Sequence, residues 1–202
     1  MSGTFNLANM VYTSIKEEYS GRRIAVIDSK GGSMGTGLIA IQLGMMNENG
    51  ASFDELLSMG LWMAEHVKYA FTIDDLSCAI RGGRVLARAA GSFADMLDVK
   101  PLMDVKNGML HVVKFVRGST RSLIAVADLV ASYASGFQTQ VIGLTHADDP
   151  KRAEQMKSLL KKRLPDCTIL CERIGGVLGS HLGIGGVGVF CLDQRPPVYH
   201  PL

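Results

Sequence analysis

The chain of 202 residues has no apolar run approaching the ~20 residues that a membrane-spanning helix needs, which excludes an integral membrane segment of that kind. Met1 is followed by polar Ser2, Gly3 and Thr4 and not by the basic and apolar segments of a secretory leader, so the sequence reads as cytoplasmic. Charge of one sign is missing too. Lys and Arg number 21 against 19 Asp and Glu, and aromatic residues make up only 6%, which leaves neither a basic stripe nor a set of stacking platforms for nucleic acid. The four cysteines, Cys78, Cys167, Cys171 and Cys191, lack the paired Cys-x-x-Cys spacing of zinc or redox sites. Cys167, Ile169 and Cys171 fall on one face of a predicted strand and read as small core hydrophobes with reduced thiols. Asp28, Asp74 and Asp75 lie on separate elements without ligand spacing, so they read as caps and turns; no metal or cofactor is expected.

What the chain has in abundance is glycine and methionine, 23 and 11 residues. The stretch Ile174 to Phe190 sets one histidine, His181, among seven glycines. An ordered glycine costs backbone entropy, so such a cluster marks tight turns or close backbone approach to another group. Ser180 and His181 are the only side chains of that stretch able to hydrogen-bond, and they sit between apolar residues that read as buried strand. Two readings stand side by side: the heart of a binding site, or a structural histidine in a turn between core strands. Met10, Met34, Met45, Met46, Met59, Met63, Met96, Met103 and Met109 lie in or beside apolar faces. Their unbranched thioethers suit either ordinary core or the lining of a cavity for a flexible apolar ligand.

Taken in order, the spacing predicts a helix over Phe5 to Tyr19, with Ser2, Gly3 and Thr4 as its N-terminal turn. Hydroxyls and free N–H groups there receive a carboxylate or phosphate, or only cap the helix. Ile24 to Asp28 reads as a buried parallel strand. The loop Ser29 to Gly37 then feeds a helix from Thr36 to Met46, without the residues of a phosphate-binding P-loop. Ser52 caps a helix over Phe53 to His66, with Glu55 in the capping-box position. A change of texture near Tyr69 marks a boundary between residues 1–68 and 69–202. Beyond it the pattern predicts a strand over Tyr69 to Ile73, a short helix from Asp74 and a helix over Arg88 to Leu97. A β-hairpin over Lys100 to Arg117 turns at Asn107-Gly108. A helix over Ser119 to Ala134, a strand over Thr139 to His146, a helix over Pro150 to Leu164 and a strand over Thr168 to Arg173 follow. The tail from Arg195 is expected to lie outside the fold.

The order of these motifs resembles the DegV family. The motifs are Ser2-Gly-Thr-Phe, Val26-Ile-Asp-Ser29 with Ser33-Met-Gly-Thr-Gly37, Phe71-Thr-Ile-Asp-Asp-Leu76, Arg81-Gly-Gly-Arg84, Lys100-Pro-Leu102, Val116-Arg-Gly118, His146-Ala147 and Gly179-Ser-His-Leu-Gly-Ile-Gly-Gly186. The resemblance covers nearly the whole chain. It implies α/β plus α+β architecture: a remnant of a parallel-sheet N-terminal domain over residues 1–68, followed by a lipid-binding domain over 69–202 with a largely antiparallel sheet and helices. It also implies a non-enzymatic, bacterial protein that binds a long-chain fatty acid such as palmitate in an apolar tunnel, for transport or for presentation to the catalytic subunit of a fatty acid kinase. By match to the family, Ser2 and His181 hold the carboxyl group. A buried carboxylate is costly unless several donors receive it, and a hydroxyl, a helix N-terminus and an imidazole provide them. Arg81, Arg84, Arg117 and Arg121 match basic positions that would steer an acidic kinase subunit, or that serve as solvated surface charge.

Two departures qualify the match. The family carries further residues before the Ser-Gly-Thr motif, with the first strands of the parallel sheet, so the resemblance implies a natural truncation, a fragment or one piece of a longer product. Ile24 to Ile27 would then expose an apolar edge and invite a homodimer through the incomplete N-terminal sheet. Ile184 also stands where the family commonly has proline. Two other functions compete: an interaction module that no longer binds lipid alone, and a hydrolase using Ser33 or Ser180 with His146 or His181, which lacks a Gly-x-Ser-x-Gly elbow.

Overall fold

A computed structural model describes residues 3–74, 77–83, 98–106 and 108–202. Ser2, Asp75, Arg84, Asn107 and the helix expected over residues 88–97 lie outside the described residues. The elements run α1 (Thr4–Ile15), α2 (Met34–Glu48), α3 (Phe53–His66), β1 (Val67–Thr72), α4 (Ser77–Arg81), β2 (Val99–Lys106) and β3 (Met109–Arg117). They continue with α5 (Ser119–Tyr133), β4 (Val141–His146), α6 (Pro150–Arg163), β5 (Thr168–Arg173), α7 (Gly176–Leu182) and β6 (Val187–Leu192). The six strands form one mixed sheet in the order β3-β2-β1-β6-β4-β5. Every neighbouring pair is antiparallel except β4 and β5, which are joined through α6 as a parallel crossover must be. The expected largely antiparallel sheet is therefore what forms.

Alternation along the strands divides the core in two. One face, with Ala70, Leu102, Ile142, Leu144, Val187, Val189 and Cys191, packs against Leu123, Val126 and Val130 of α5 and Met156 and Leu160 of α6. The other presents Val67, Tyr69, Phe190 and Leu192 to Leu38, Ile39 and Met46 of α2 and Met59 and Met63 of α3. A third cluster on this second side joins Phe71, Ile73 and Met103 to Ala79, Ile80 and Leu182. Local signals place these helices. Ser52 accepts the Glu55 N–H while the Glu55 carboxylate accepts the Ser52 N–H at 2.8 Å, which closes the capping box at α3. Asp149 caps α6 by accepting the Arg152 N–H at 3.0 Å, with Pro150 in its first turn.

Three expectations are corrected. Ile24 to Asp28 belongs to no strand, because among the described residues no neighbour pairs with it; Ile27 instead packs against Gly60 of α3, where an added Cβ would come within 2.6 Å of its Cδ1. Of the apolar residues around His181, Val187, Val189 and Phe190 are buried strand as expected, but those nearer the histidine are not: Gly176 to Leu182 is a helix, and Val177 and Ile184 are 81% and 75% exposed. The tail is bound to the fold. Tyr199 accepts the Val141 N–H at 2.7 Å and packs edge-on against Phe137, while Gln42 pairs twice with the His200 backbone.

Candidate functional site

On the second face of the sheet the strands carry small residues where other parts come close. A Cβ on Gly143 of β4 would stand 2.8 Å from the Met34 Cβ, so glycine is what lets the start of α2 rest on the sheet. Two residues on, the Thr145 hydroxyl accepts from Ser33 at 3.4 Å. The loop before α2 is held by Tyr69, whose ring fills the space beside Gly31 and Gly35 and leaves no room for a side chain at either. Burial, helped by the negative charge of Asp28, pushes the Tyr69 phenol up to about 12. Its hydroxyl points at the Ser29 carbonyl at 3.4 Å, and the Ser29 and Thr36 hydroxyls lie 3.0 Å apart. Two outer segments flank the loop: Gly108 of the hairpin turn beside Lys30, and Leu178 of α7 beside Gly32.

α7, which carries His181, reaches this neighbourhood through Leu178. The helix ends at Gly183, with φ +73, and Leu182 is anchored in the apolar cluster of Phe71, Ile73 and Met103, so the preceding His181 is left partly buried at its margin. The segment that follows returns to the sheet through two backbone bonds of 2.8 Å, Gly185 N–H to the Ala147 carbonyl and Ala147 N–H to the Gly186 carbonyl. Beneath it lies the guanidinium of Arg152, which donates to Asp74 Oδ1 at 2.5 Å and to the Gly185 carbonyl.

The helix that carries His181 thus meets the Ser29 to Gly37 loop through Leu178. Ser2 lies outside the described residues. The candidates for hydrolysis are spent otherwise: Ser180 donates to the Val177 carbonyl at 2.8 Å, Ser33 to Thr145, and His146 Nδ1 accepts the Asp149 N–H at 3.2 Å. These bonds make no serine–histidine pair. Among the described residues no three His, Cys, Asp or Glu side chains gather in a way that would hold a metal ion. Arg81, Arg117 and Arg121 are exposed at the surface. A cavity of about 730 Å³ opens elsewhere, between Met46, Met59, Trp62, Pro197 and Val198. It lies at the far end of α2, about 18 Å along the helix from its start at 1.5 Å per residue. Sequence reasoning missed Tyr69, Thr145 and Arg152. Tyr69 and Thr145 lie in strands read only for their apolar alternation, and Arg152 sits in a helix turn where a charged side chain reads as solvated.

Comparison with known proteins adds to this geometry. A family model described as "Uncharacterised protein, DegV family" matches residues 1–194. A DegV domain-containing protein of Clostridium perfringens is 31% identical over 202 residues, which cover 98% of this chain and 68% of that protein. Another from Mycobacterium tuberculosis is 28% identical over 200 residues, covering 98% and 69%. The chain spans about two thirds of the length of the relatives it matches. A DegV family protein from Ruminococcus gnavus, crystallised with vaccenic acid, superposes with a TM-score of 0.85 at 25% identity over 94% of this chain and 68% of the other. The Streptococcus pneumoniae fatty acid kinase (Fak) B3 protein, loaded with linoleic acid, gives a TM-score of 0.85 at 21% identity over 96% and 68%, a likeness of fold.

Proposed function

The chain belongs to the DegV family, and from that premise we propose that it binds a long-chain fatty acid, such as palmitate, as a carrier without catalytic activity of its own. The observation that carries this reading is the fold shared with the Ruminococcus gnavus protein crystallised with vaccenic acid. In the proposed arrangement His181 and Ser2 receive the carboxyl group, and the apolar cluster of Phe71, Ile73, Met103 and Leu182 beside His181 starts the lining of the acyl site. Each buried methylene contributes about 0.8 kcal/mol, so the tail supplies most of the affinity while the polar end fixes orientation. Residues 1–68 and 69–202 act as the two walls of the site. The exposed Arg81, Arg117 and Arg121 would steer the catalytic subunit of a fatty acid kinase, to which the carrier presents its cargo.

One observation favours a second reading, an interaction module that binds no lipid alone. α1 has no buried residue, and Leu7, Met10 and Val11 are 61%, 70% and 49% exposed on a helix without a charged side chain. Such a surface suits association with another copy or another chain. The segment 24–28, having no strand neighbour among the described residues, offers a second route to pairing of copies.

Native mass spectrometry of the purified protein, with organic extraction and palmitate titration, separates the readings. The expected result is one fatty acid per chain and an affinity about tenfold to a hundredfold weaker in His181→Ala, the usual effect of losing one charge-assisted hydrogen bond. A protein that takes up no fatty acid in titration, as a monomer or a dimer, overturns the carrier reading in favour of the module.

A further inference from the structure

The charged cluster beneath the glycine-rich stretch is built at odds with stability. Arg152 is 6% exposed, yet its Nε and Nη2 groups are buried without a hydrogen-bond partner. Those two N–H groups form the side-on edge of a guanidinium, its best pair for bidentate bonding, and leaving both desolvated is costly. Arg152 also stands in the first turn of α6, where the helix dipole disfavours a cation. An apolar side chain of similar length would fill the space without these penalties.

All the polar work of the Arg152 guanidinium is done by the remaining nitrogen, Nη1. It bridges Asp74, just past the end of β1, to the carbonyl of Gly185. Asp74 is held from its other side by Lys100 of β2, whose ammonium donates to the Asp74 carbonyl at 3.1 Å and lies 3.6 Å from its carboxylate. Gly185 has φ +87, and a Cβ there would come within 2.4 Å of Asp74 Oδ2, so the backbone is pressed against the carboxylate. The bridge therefore fixes the carbonyl of the third residue after Leu182 to the sheet, and with it the C-terminal end of the helix that carries His181.

We infer that Arg152 and Asp74 are positioning residues that lock the segment Gly183 to Gly186 and so hold His181 in register for the carboxyl group of the ligand. The inference rests on the fatty-acid reading of His181. Without the bridge, the segment Gly183 to Gly186 keeps the two backbone bonds to Ala147, while α7 keeps the Leu182 anchor and the approach of Leu178 to Gly32, and its histidine samples more orientations. The loss then falls on recognition, because affinity depends on donors held within a fraction of an ångström of the oxygen they meet.

The test compares Arg152→Met and Arg152→Lys with the unsubstituted 202-residue chain by hydrogen exchange, thermal unfolding and palmitate titration. In Arg152→Met, amide exchange over residues 176–186 is expected to rise about tenfold or more, and palmitate affinity to fall about tenfold. The melting temperature should change little, since Asp74 keeps Lys100. Arg152→Lys restores part of both, because an ammonium can still reach Asp74. Exchange over 176–186 that stays unchanged overturns the inference, and so does loosening spread over the whole chain with a lowered melting temperature. Should Arg152→Met not fold, Gly185→Ala displaces the same carboxylate from the opposite side and is expected to give the same local loosening. If the unsubstituted chain takes no palmitate, the carrier reading fails, while the exchange measurement still decides whether the bridge holds the segment.

Discussion

Gly143 and Leu144 are neighbours on β4 that face opposite sides of the sheet, and the two sides are built on different rules. Leu144 is fully buried among Val126, Val130, Met156, Leu160 and Val189, an aliphatic layer closed by α5 and α6. Gly143 leaves its side bare so that Met34 can approach, and around it stand Thr145, Gly188, Tyr69 and the loop from Ser29 to Gly37. The first face is filled by side-chain volume. On the second, beside the apolar core under α2 and α3, β4 and β6 give up volume at Gly143 and Gly188 to admit backbone, hydroxyls and loops. The difference teaches how stability and recognition are placed: the closed face serves packing alone, and the second face combines packing under α2 and α3 with the candidate site at its small residues.

Substitutions one residue apart test this division. The largest effect is expected from Leu144→Ala, which removes buried volume from the closed layer and should lower stability by about 2–5 kcal/mol in denaturant unfolding. Ligand affinity per folded molecule should be unchanged. Gly143→Ala adds a Cβ within 2.8 Å of the Met34 Cβ and 3.4 Å of the Phe190 Cβ, and neither neighbour is a flexible side-chain end at that atom. Its stability loss should be smaller, about 1–3 kcal/mol for overpacking, offset in part by the better strand propensity of alanine. Here the loop before α2 is displaced, so palmitate affinity should fall by more than the stability change explains. Equal behaviour of the two variants in the binding assay would remove the distinction between the faces.

The closed face was the more legible from sequence, and the reason is physical. Ile142, Leu144, Val187 and Val189 alternate in short apolar runs, and Leu123, Val126 and Val130 recur at helical spacing, so local pattern and burial agree. The capping box at Ser52 and the Pro150 start of α6 are likewise local signals that nothing distant overrides. Ile24 to Asp28 failed because a strand is defined by its neighbours, and its own five residues say nothing about whether any will pair. Gly176 to Leu182 failed in the opposite sense: glycine and valine lower helix propensity, but Leu182 docking into the Phe71 cluster and the turn at Gly183 support a helix of seven residues. His181 could be picked out as one imidazole among glycines. Arg152 could not, since its role depends on Asp74 and Gly185, which are 78 and 33 residues away.

The smallest effect expected lies in the alkaline pH dependence, where each face contributes a tyrosine. Burial, with the charge of Asp28, raises the Tyr69 phenol to about 12 on the open side. Burial, with the charge of Asp104 and a hydrogen bond to it, raises Tyr133 of α5 to about 12 on the closed side. In both cases the folded value lies above the unfolded one near 10, so the unfolded chain loses its proton first. Each tyrosine therefore contributes stability that is complete below about pH 10 and is lost as the pH rises toward 12. Cys191, raised to about 12 mainly by burial, adds a decline of the same sign that begins at the lower value of an exposed thiol. Thermal unfolding between pH 7 and 11.5 separates the two tyrosines. Tyr69→Phe gives up only a 3.4 Å contact to the Ser29 carbonyl, so its melting temperature should match the unsubstituted protein at pH 7 and fall less steeply above pH 10. Tyr133→Phe also flattens the alkaline limb, but it removes a donor from the buried Asp104 carboxylate, which then relies on His111 and Lys106, so its curve should start lower at pH 7. A Tyr69→Phe curve parallel to that of the unsubstituted protein above pH 10 would mean that the phenol is reached by solvent, and that the loop it covers does not close this side of the sheet.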